Sequence, residues 1–302
     1  MKRSRSWSLI VLVAAIAAAV AGWRVYDARH SLPPVVAHPE SPPSPVPVPT
    51  AMQVRDLLLA ELQPVALTNC TVKRFGERHD GGYLLCANLL KNVQSGYSYG
   101  ISGYDGWGCE ISRTLKVQVH QYDCFNLQKP VCRGGTTIFH GECVAGEPST
   151  DGAGRRFETP EHQFRKNGDA SRHLVMKIDV EGAEWNTFLE TPDSVLEHID
   201  QLAVEFHGVD QPRYVDTVRK LKRLFYIANL HFNNYSCSTR TAPFPAWAYE
   251  VLFVNKQLGV PDPSGKRPAL NAANAPNTPE RADCQLPVAS RQDGLIAKSP
   301  GH

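Results

Sequence analysis

The chain has almost no surplus charge: 32 Lys and Arg against 30 Asp and Glu leave a formal net charge of +2 over 302 residues. Its basic residues are scattered rather than striped, which argues against a nucleic-acid partner. None of its eight cysteines sits in a C-x-x-C pair, so a zinc ribbon is excluded. There is no G-x-G-x-x-G run and no Walker lysine, so nucleotide phosphates find little support as ligands. Histidines spaced i, i+4 and an H-E-x-x-H pattern are also missing, and no metal is expected on those grounds.

One long apolar run exists, Leu9 to Gly22, preceded by Lys2, Arg3 and Arg5. It is shorter than the roughly 20 residues of a full span, but Trp7 and Trp23 are placed as interfacial anchors. Residues 1–24 therefore read as a signal anchor, or as a signal peptide cleaved after Ala19-Val20-Ala21. A single-pass anchor would leave the body on the non-cytoplasmic side, and cleavage would secrete it. An oxidising compartment suits eight cysteines, some of them disulfide-bonded, with Cys284 the least structural. Asn69-Cys70-Thr71 and Asn234-Tyr235-Ser236 are N-x-S/T sequons.

Residues 25–50 form a proline-rich linker, 51–258 the folded domain, and 259–302 a tail expected to be disordered. A first helix is expected at Val54 to Leu62, with Leu57, Leu58 and Leu62 on one face. Two strand-like runs around Asp80-Gly81-Gly82 read as a hairpin. Strand runs then begin at Gly96, Val117, Thr136, Leu174, Gln201, Tyr226 and Tyr249, with helices at Gly108–Leu115, Ala183–Leu189 and Arg213–Leu224. That alternation predicts an α/β fold with a mostly parallel sheet and an antiparallel pair at one edge. Trp185, Phe188 and Leu189 follow helical spacing and read as core.

Met176 to Asn186, M-K-I-D-V-E-G-A-E-W-N, carries the most chemistry. A β-rich run ends in Asp179 and Glu181, where open α/β sheets bind ligands. These carboxylates either hold a ligand or cap the following helix. The first strand runs into four glycines, Gly100, Gly103, Gly106 and Gly108, a loop that lets backbone approach a ligand or simply turns. The second strand closes in Asp123, about 20 residues on, where a carboxylate can accept bonds from a ribose diol. Glu205-Phe206-His207 ends the fifth strand. Asp179, Glu205 and His207, with His231 or Asn233, form an alternative oxygen-rich cation site. Glu250 is either an edge charge or a pocket wall group.

Gly100 with its following glycines, Asp123, and the run Lys177-Ile178-Asp179-Val180-Glu181-Gly182-Ala183-Glu184 resemble the FkbM-type S-adenosylmethionine-dependent methyltransferases, most closely the methyltransferase-like protein 24 group. The hairpin from Arg74 to Tyr83 is similar to a segment preceding the core in those proteins. The resemblance covers about residues 70–255. It departs at G-I-S-G-Y-D-G-W-G, where the family commonly has a shorter D-x-G-x-x-x-G loop.

The resemblance implies a Rossmann-like class I methyltransferase sandwich: seven strands, one of them antiparallel. It places Gly100 and Gly103 along the methionine end of S-adenosyl-L-methionine and Glu110 near its amino group. Asp123 would hold the ribose, with Asp179 and Glu181 beside the reacting centre. Methyl transfer needs alignment above all, and an alcohol acceptor also needs a base, for which Glu181, Glu205 and His207 are the candidates. The expected activity is O-methylation of a carbohydrate or other small polar acceptor. Its rivals are an inactive binding domain of the same fold and a nucleotide-sugar-type Rossmann enzyme.

Overall fold

The computed structural model describes residues 48–237, 239–265, 268 and 273–284. The expected anchor and nearly all of the proline-rich linker lie outside these residues. Among the described residues no helix is long and apolar enough to cross a membrane.

In chain order the elements are α1 (Ala51–Glu61), β1 (Val72–Gly76), β2 (Gly82–Cys86), β3 (Ser95–Tyr99), α2 (Gly106–Leu115), β4 (Gln118–Tyr122), β5 (Thr136–His140), β6 (Cys143–Val144), β7 (Ser149–Thr150), β8 (Arg156–Glu158), α3 (Pro160–Asn167), β9 (Leu174–Ile178), α4 (Glu184–Glu190), α5 (Asp193–Leu196), β10 (Ile199–His207), α6 (Arg213–Leu224), β11 (Phe225–Phe232) and β12 (Ala248–Asn255). Seven strands form the main sheet in the order β11-β12-β10-β9-β3-β4-β5. Strand β12 runs antiparallel to both β10 and β11, whereas β3, β4, β5, β9 and β10 pair in parallel. This is the mostly parallel, Rossmann-like α/β sheet with an antiparallel edge that the sequence predicts. The chain starts the sheet at β3, builds outward to β5, then crosses back to β9 on the other side. The gap between β3 and β9 is thus the topological switch point, where open α/β sheets bind ligands outside their carboxyl ends.

Period-two alternation sends neighbouring residues of each strand to opposite faces. On one face, Val175, Ala203, Leu252 and Val254 pack with Phe75, Leu85, Trp107 and Ile111, from the β1–β2 hairpin and α2. On the other, Met176, Val204, Phe206 and Phe253 meet Leu58, Trp185, Phe188 and Leu221, from α1, α4 and α6. Trp185 is stacked between Phe206 at 4.0 Å and Tyr214 at 4.2 Å, and truncating so buried a ring costs about 3–5 kcal/mol. In α1 the apolar face is Val54, Leu58 and Leu62, while Leu57, expected on it, is exposed.

All eight cysteines are paired: Cys70–Cys86, Cys109–Cys132, Cys124–Cys143 and Cys237–Cys284. The last pair corrects the reading of Cys284 as least structural, and part of the expected disordered tail with it. Residues 273–284 form a strap along the sheet. The strap is held because Asn277 Nδ2 donates to Glu250 Oε1 at 2.6 Å and to Asp80 Oδ1 at 3.1 Å. Asn234 Nδ2 donates to the carbonyls of Thr278 and Arg281, both at 2.9 Å. Glu250 is not an edge charge either. Strand β12 has a neighbour on each side, and Glu250 is buried against His231 Nδ1 at 3.0 Å.

Candidate functional site

The carboxyl ends of β3, β4 and β9 lie side by side, and four of the expected residues, Gly100, Gly103, Asp123 and Asp179, meet there. Gly100 follows β3 with φ +72°, and a Cβ on it would sit 1.5 Å from the Asp179 carbonyl oxygen. Ser102 N–H donates to Asp123 Oδ2 at 2.7 Å, and Phe125 and Asn126 N–H donate to Oδ1 at 2.8 and 2.9 Å. Asp123 thus ties the loop after β3 to the loop after β4. Gly103, at φ +83°, packs against the Asn126 side chain within that tie. Both glycines therefore serve close approach between protein segments. Glu110 is not brought to this edge. It lies on α2, where Oε1 pairs with Lys73 Nζ and Oε2 accepts Gly76 N–H, both at 2.9 Å, and so fastens the hairpin.

A second group forms at the ends of β9 and β10, beneath the hairpin. Tyr83 hydroxyl lies 3.0 Å from both Asp179 Oδ2 and Glu205 Oε2. Asn233 Nδ2 donates to Glu205 Oε1 at 2.6 Å. Lys177 Nζ donates to the carbonyls of Tyr99 and Gly100 at 3.1 and 2.9 Å and reaches Asp179 Oδ2 at 3.2 Å. His207 Nε2 faces Glu205 Oε1 at 3.6 Å and Asp179 Oδ1 and Glu181 Oε2 at 3.8 Å, while Nδ1 lies 3.1 Å from Glu184 Oε1.

The electrostatics follow from burial. Glu205 is 3 % exposed, and burial, then Asp179 and Glu250, push its carboxyl up to about 8. The hydrogen bonds agree. A phenol has one proton, so Tyr83 donates to one carboxylate and must accept from the other. A proton on Glu205 Oε2 supplies that second bond. His207 is also partly desolvated, which opposes its charge, but Glu184, Glu205 and Asp179 outweigh this and raise it to about 9. Burial first, then Asp179 and Glu205, hold the Tyr83 phenol well above its ordinary range, so it stays protonated.

Asp179, Glu205 and His207 each offer a ligand atom within 4.8 Å of the others, a spacing one divalent cation could bridge. Tyr83, Asn233 and Lys177 already engage the two carboxylates from within the protein. His231 stands apart, between Glu250 and Asp283, and Asn233 touches the group through its amide N–H. Glu181 sits at the rim, its side chain largely in solvent and its backbone left-handed at φ +58°.

Lys177, Tyr83 and Glu184 were missed as site residues from sequence. Lys177 carries the clearest signal, a lone cation inside the apolar run L-V-M-K-I. The third carboxylate of D-V-E-G-A-E is the other. Glu184 is fully buried: Oε1 accepts Val180 N–H at 2.7 Å and Oε2 accepts Gly182 N–H at 2.8 Å. Neither Asp179 nor Glu181 caps α4, whose N-cap Ala183 receives no side-chain cap bond; Glu184 instead ties the turn leading into the helix.

No protein-family model and no curated protein matches this chain. Among solved structures, the chain is similar to the crystal structure of methyltransferase FkbM from Methylobacillus flagellatus KT. The two share 14 % identity with a TM-score of 0.37, over 54 % of this chain and 44 % of that one. The chain thus spans less than half the length of that protein.

Proposed function

We propose that this protein is an S-adenosylmethionine-dependent methyltransferase of the FkbM type, nearest the methyltransferase-like protein 24 group. Its acceptor would be the hydroxyl of a carbohydrate or another small polar molecule. The observation that carries this reading is the convergence at the switch point of the β3 glycine turn, Asp123 and Asp179, next to a base-bearing group. The donor chemistry fits: ribose hydroxyls and a methionine ammonium are hydrogen-bond donors, and Asp123 and Asp179 are acceptors with lone pairs to offer. The cofactor would supply an electrophilic methyl group.

The chain's own residues would do the rest. Neutral His207 takes the acceptor's hydroxyl proton on Nε2, and the carboxylates of Asp179 and Glu184 offset the resulting positive charge. Tyr83 and Lys177 hold Asp179, and the Val180 and Gly182 N–H groups hold Glu184, which limits reorganisation as charge develops. The disulfides support placing the domain on the non-cytoplasmic side of a membrane or outside the cell.

A second reading has its own support. Asp123 and Glu110 are both bonded within the protein, which favours an inactive domain that keeps the fold. Calorimetry of the purified protein with S-adenosylhomocysteine separates the two. Measurable binding, weakened by Asp179→Asn, supports the enzyme; no heat at millimolar ligand sinks it.

A further inference from the structure

We propose that Glu184 is a positioning residue: it holds His207 with a proton on Nδ1 and turns Nε2 toward the acceptor side. This rests on the methyl-transfer reading for its function, but not for its geometry.

Two consecutive residues of α4 grip the last residue of β10. Trp185 Nε1 donates to the His207 carbonyl at 2.8 Å, and Glu184 Oε1 lies 3.1 Å from His207 Nδ1. Trp185 is wedged between Phe206 and Tyr214, so the clamp cannot slide. Capping the turn would require only the bonds to Val180 and Gly182; the contact to His207 is additional. An ionised carboxylate is acceptor-only, so the imidazole nitrogen facing it must carry the hydrogen. The proton that comes and goes then belongs to Nε2, which faces Asp179, Glu181 and Glu205, with Tyr83 and Lys177 behind them. In the proposed reaction the acceptor O–H bond breaks, its proton becomes the Nε2–H, and the imidazolium charge is balanced by Glu184 through Nδ1. A buried carboxylate also cannot leave without stranding two amides and a ring nitrogen.

Long-range proton–nitrogen correlation spectra of the full-length protein, labelled with ¹⁵N-histidine, test the assignment. Neutral His207 should show the Nδ1–H form alone. Glu184→Gln should lower the His207 titration midpoint by about one unit or more while the circular dichroism stays unchanged. With an acceptor in hand, the same variant should lose about 10²-fold in kcat at little cost in KM, and its pH profile should move with the His207 midpoint. A neutral wild-type His207 protonated on Nε2 overturns the proposal, as does an unchanged midpoint in Glu184→Gln. Should that variant fail to fold, the wild-type spectrum decides alone. The expected spectrum in a protein that binds no S-adenosylhomocysteine would keep the geometry and remove the methyl-transfer reading.

Discussion

The carbonyl of Asp179 occupies the space that any side chain at Gly100 would need. The built Cβ falls 1.5 Å from that oxygen, and the backbone is left-handed at φ +72°. The two strand ends flanking the switch point are therefore locked at a separation only glycine permits.

Gly100→Ala should accordingly destabilise the fold by about 3 kcal/mol or more, from the left-handed penalty and the overlap together. Urea unfolding monitored by tryptophan fluorescence measures it. A loss under about 1 kcal/mol would mean that the strand ends can part.

Glu205→Gln should be close to neutral below about pH 4.5, already stabilising at pH 7 and more so near pH 9. The amide reproduces the protonated carboxyl: its oxygen accepts from Asn233 and its NH₂ donates to Tyr83. A melting-temperature drop of several degrees at pH 7 would show that the carboxylate is ionised there.

Raising the pH should destabilise the protein. Glu205 titrates near 8 when folded against an ordinary 4.5, and His207 near 9 against 6.5. Both bind protons more tightly in the folded state, so each stabilises fully below its ordinary value and loses that contribution as pH rises through its folded one. The melting temperature should decline from about pH 4.5 to 9 and then level off, whereas in Glu205→Gln the decline should begin only near pH 6.5. A rise across that window would contradict the assignment.

Neither sequon should carry a glycan in the native protein. Asn234 is 1 % exposed and holds the strap, while Asn69 Nδ2 donates to the Leu258 carbonyl at 2.8 Å and Oδ1 accepts Val260 N–H at 2.9 Å. Intact mass before and after endoglycosidase treatment should be identical. A glycan on folded, active protein would require the strap to dock otherwise.

Replacing Cys237 and Cys284 together with serine should cost up to about 4 kcal/mol, the chain-entropy value for a loop of this span. Their sequence separation is 47 residues. Guanidinium titration reads it, and no change would show that the strap's hydrogen bonds suffice.

The seven sheet strands were legible because each is a short run holding β-branched, aromatic or other apolar residues, and Arg213–Leu224 because its buried positions recur at helical spacing. Helix α3 was overlooked despite its Thr159 cap, Pro160 start and Gly168 stop, because Phe164 is almost its only apolar side chain. The strap was illegible for a related reason. Asn277 and Thr278 bury themselves by hydrogen bonding, which hydropathy does not register. Within the site, Asp179, Glu205 and His207 followed from strand order, whereas Tyr83 depends on a pairing across 96 and 122 residues that spacing cannot reveal.

The strap also sets a timetable for biosynthesis. Its final cysteine is among the last residues described, yet it joins the loop between β11 and β12. As the chain is made from its amino end, Glu250 and His231 lack their partners Asn277 and Asp283 until that segment emerges. A product cut short before residue 284 would carry Cys237 as an unmatched thiol, free to form mixed disulfides. One cut just after it would keep all four bridges. Thiol reactivity at Cys237 is therefore a built-in marker of whether synthesis reached Cys284.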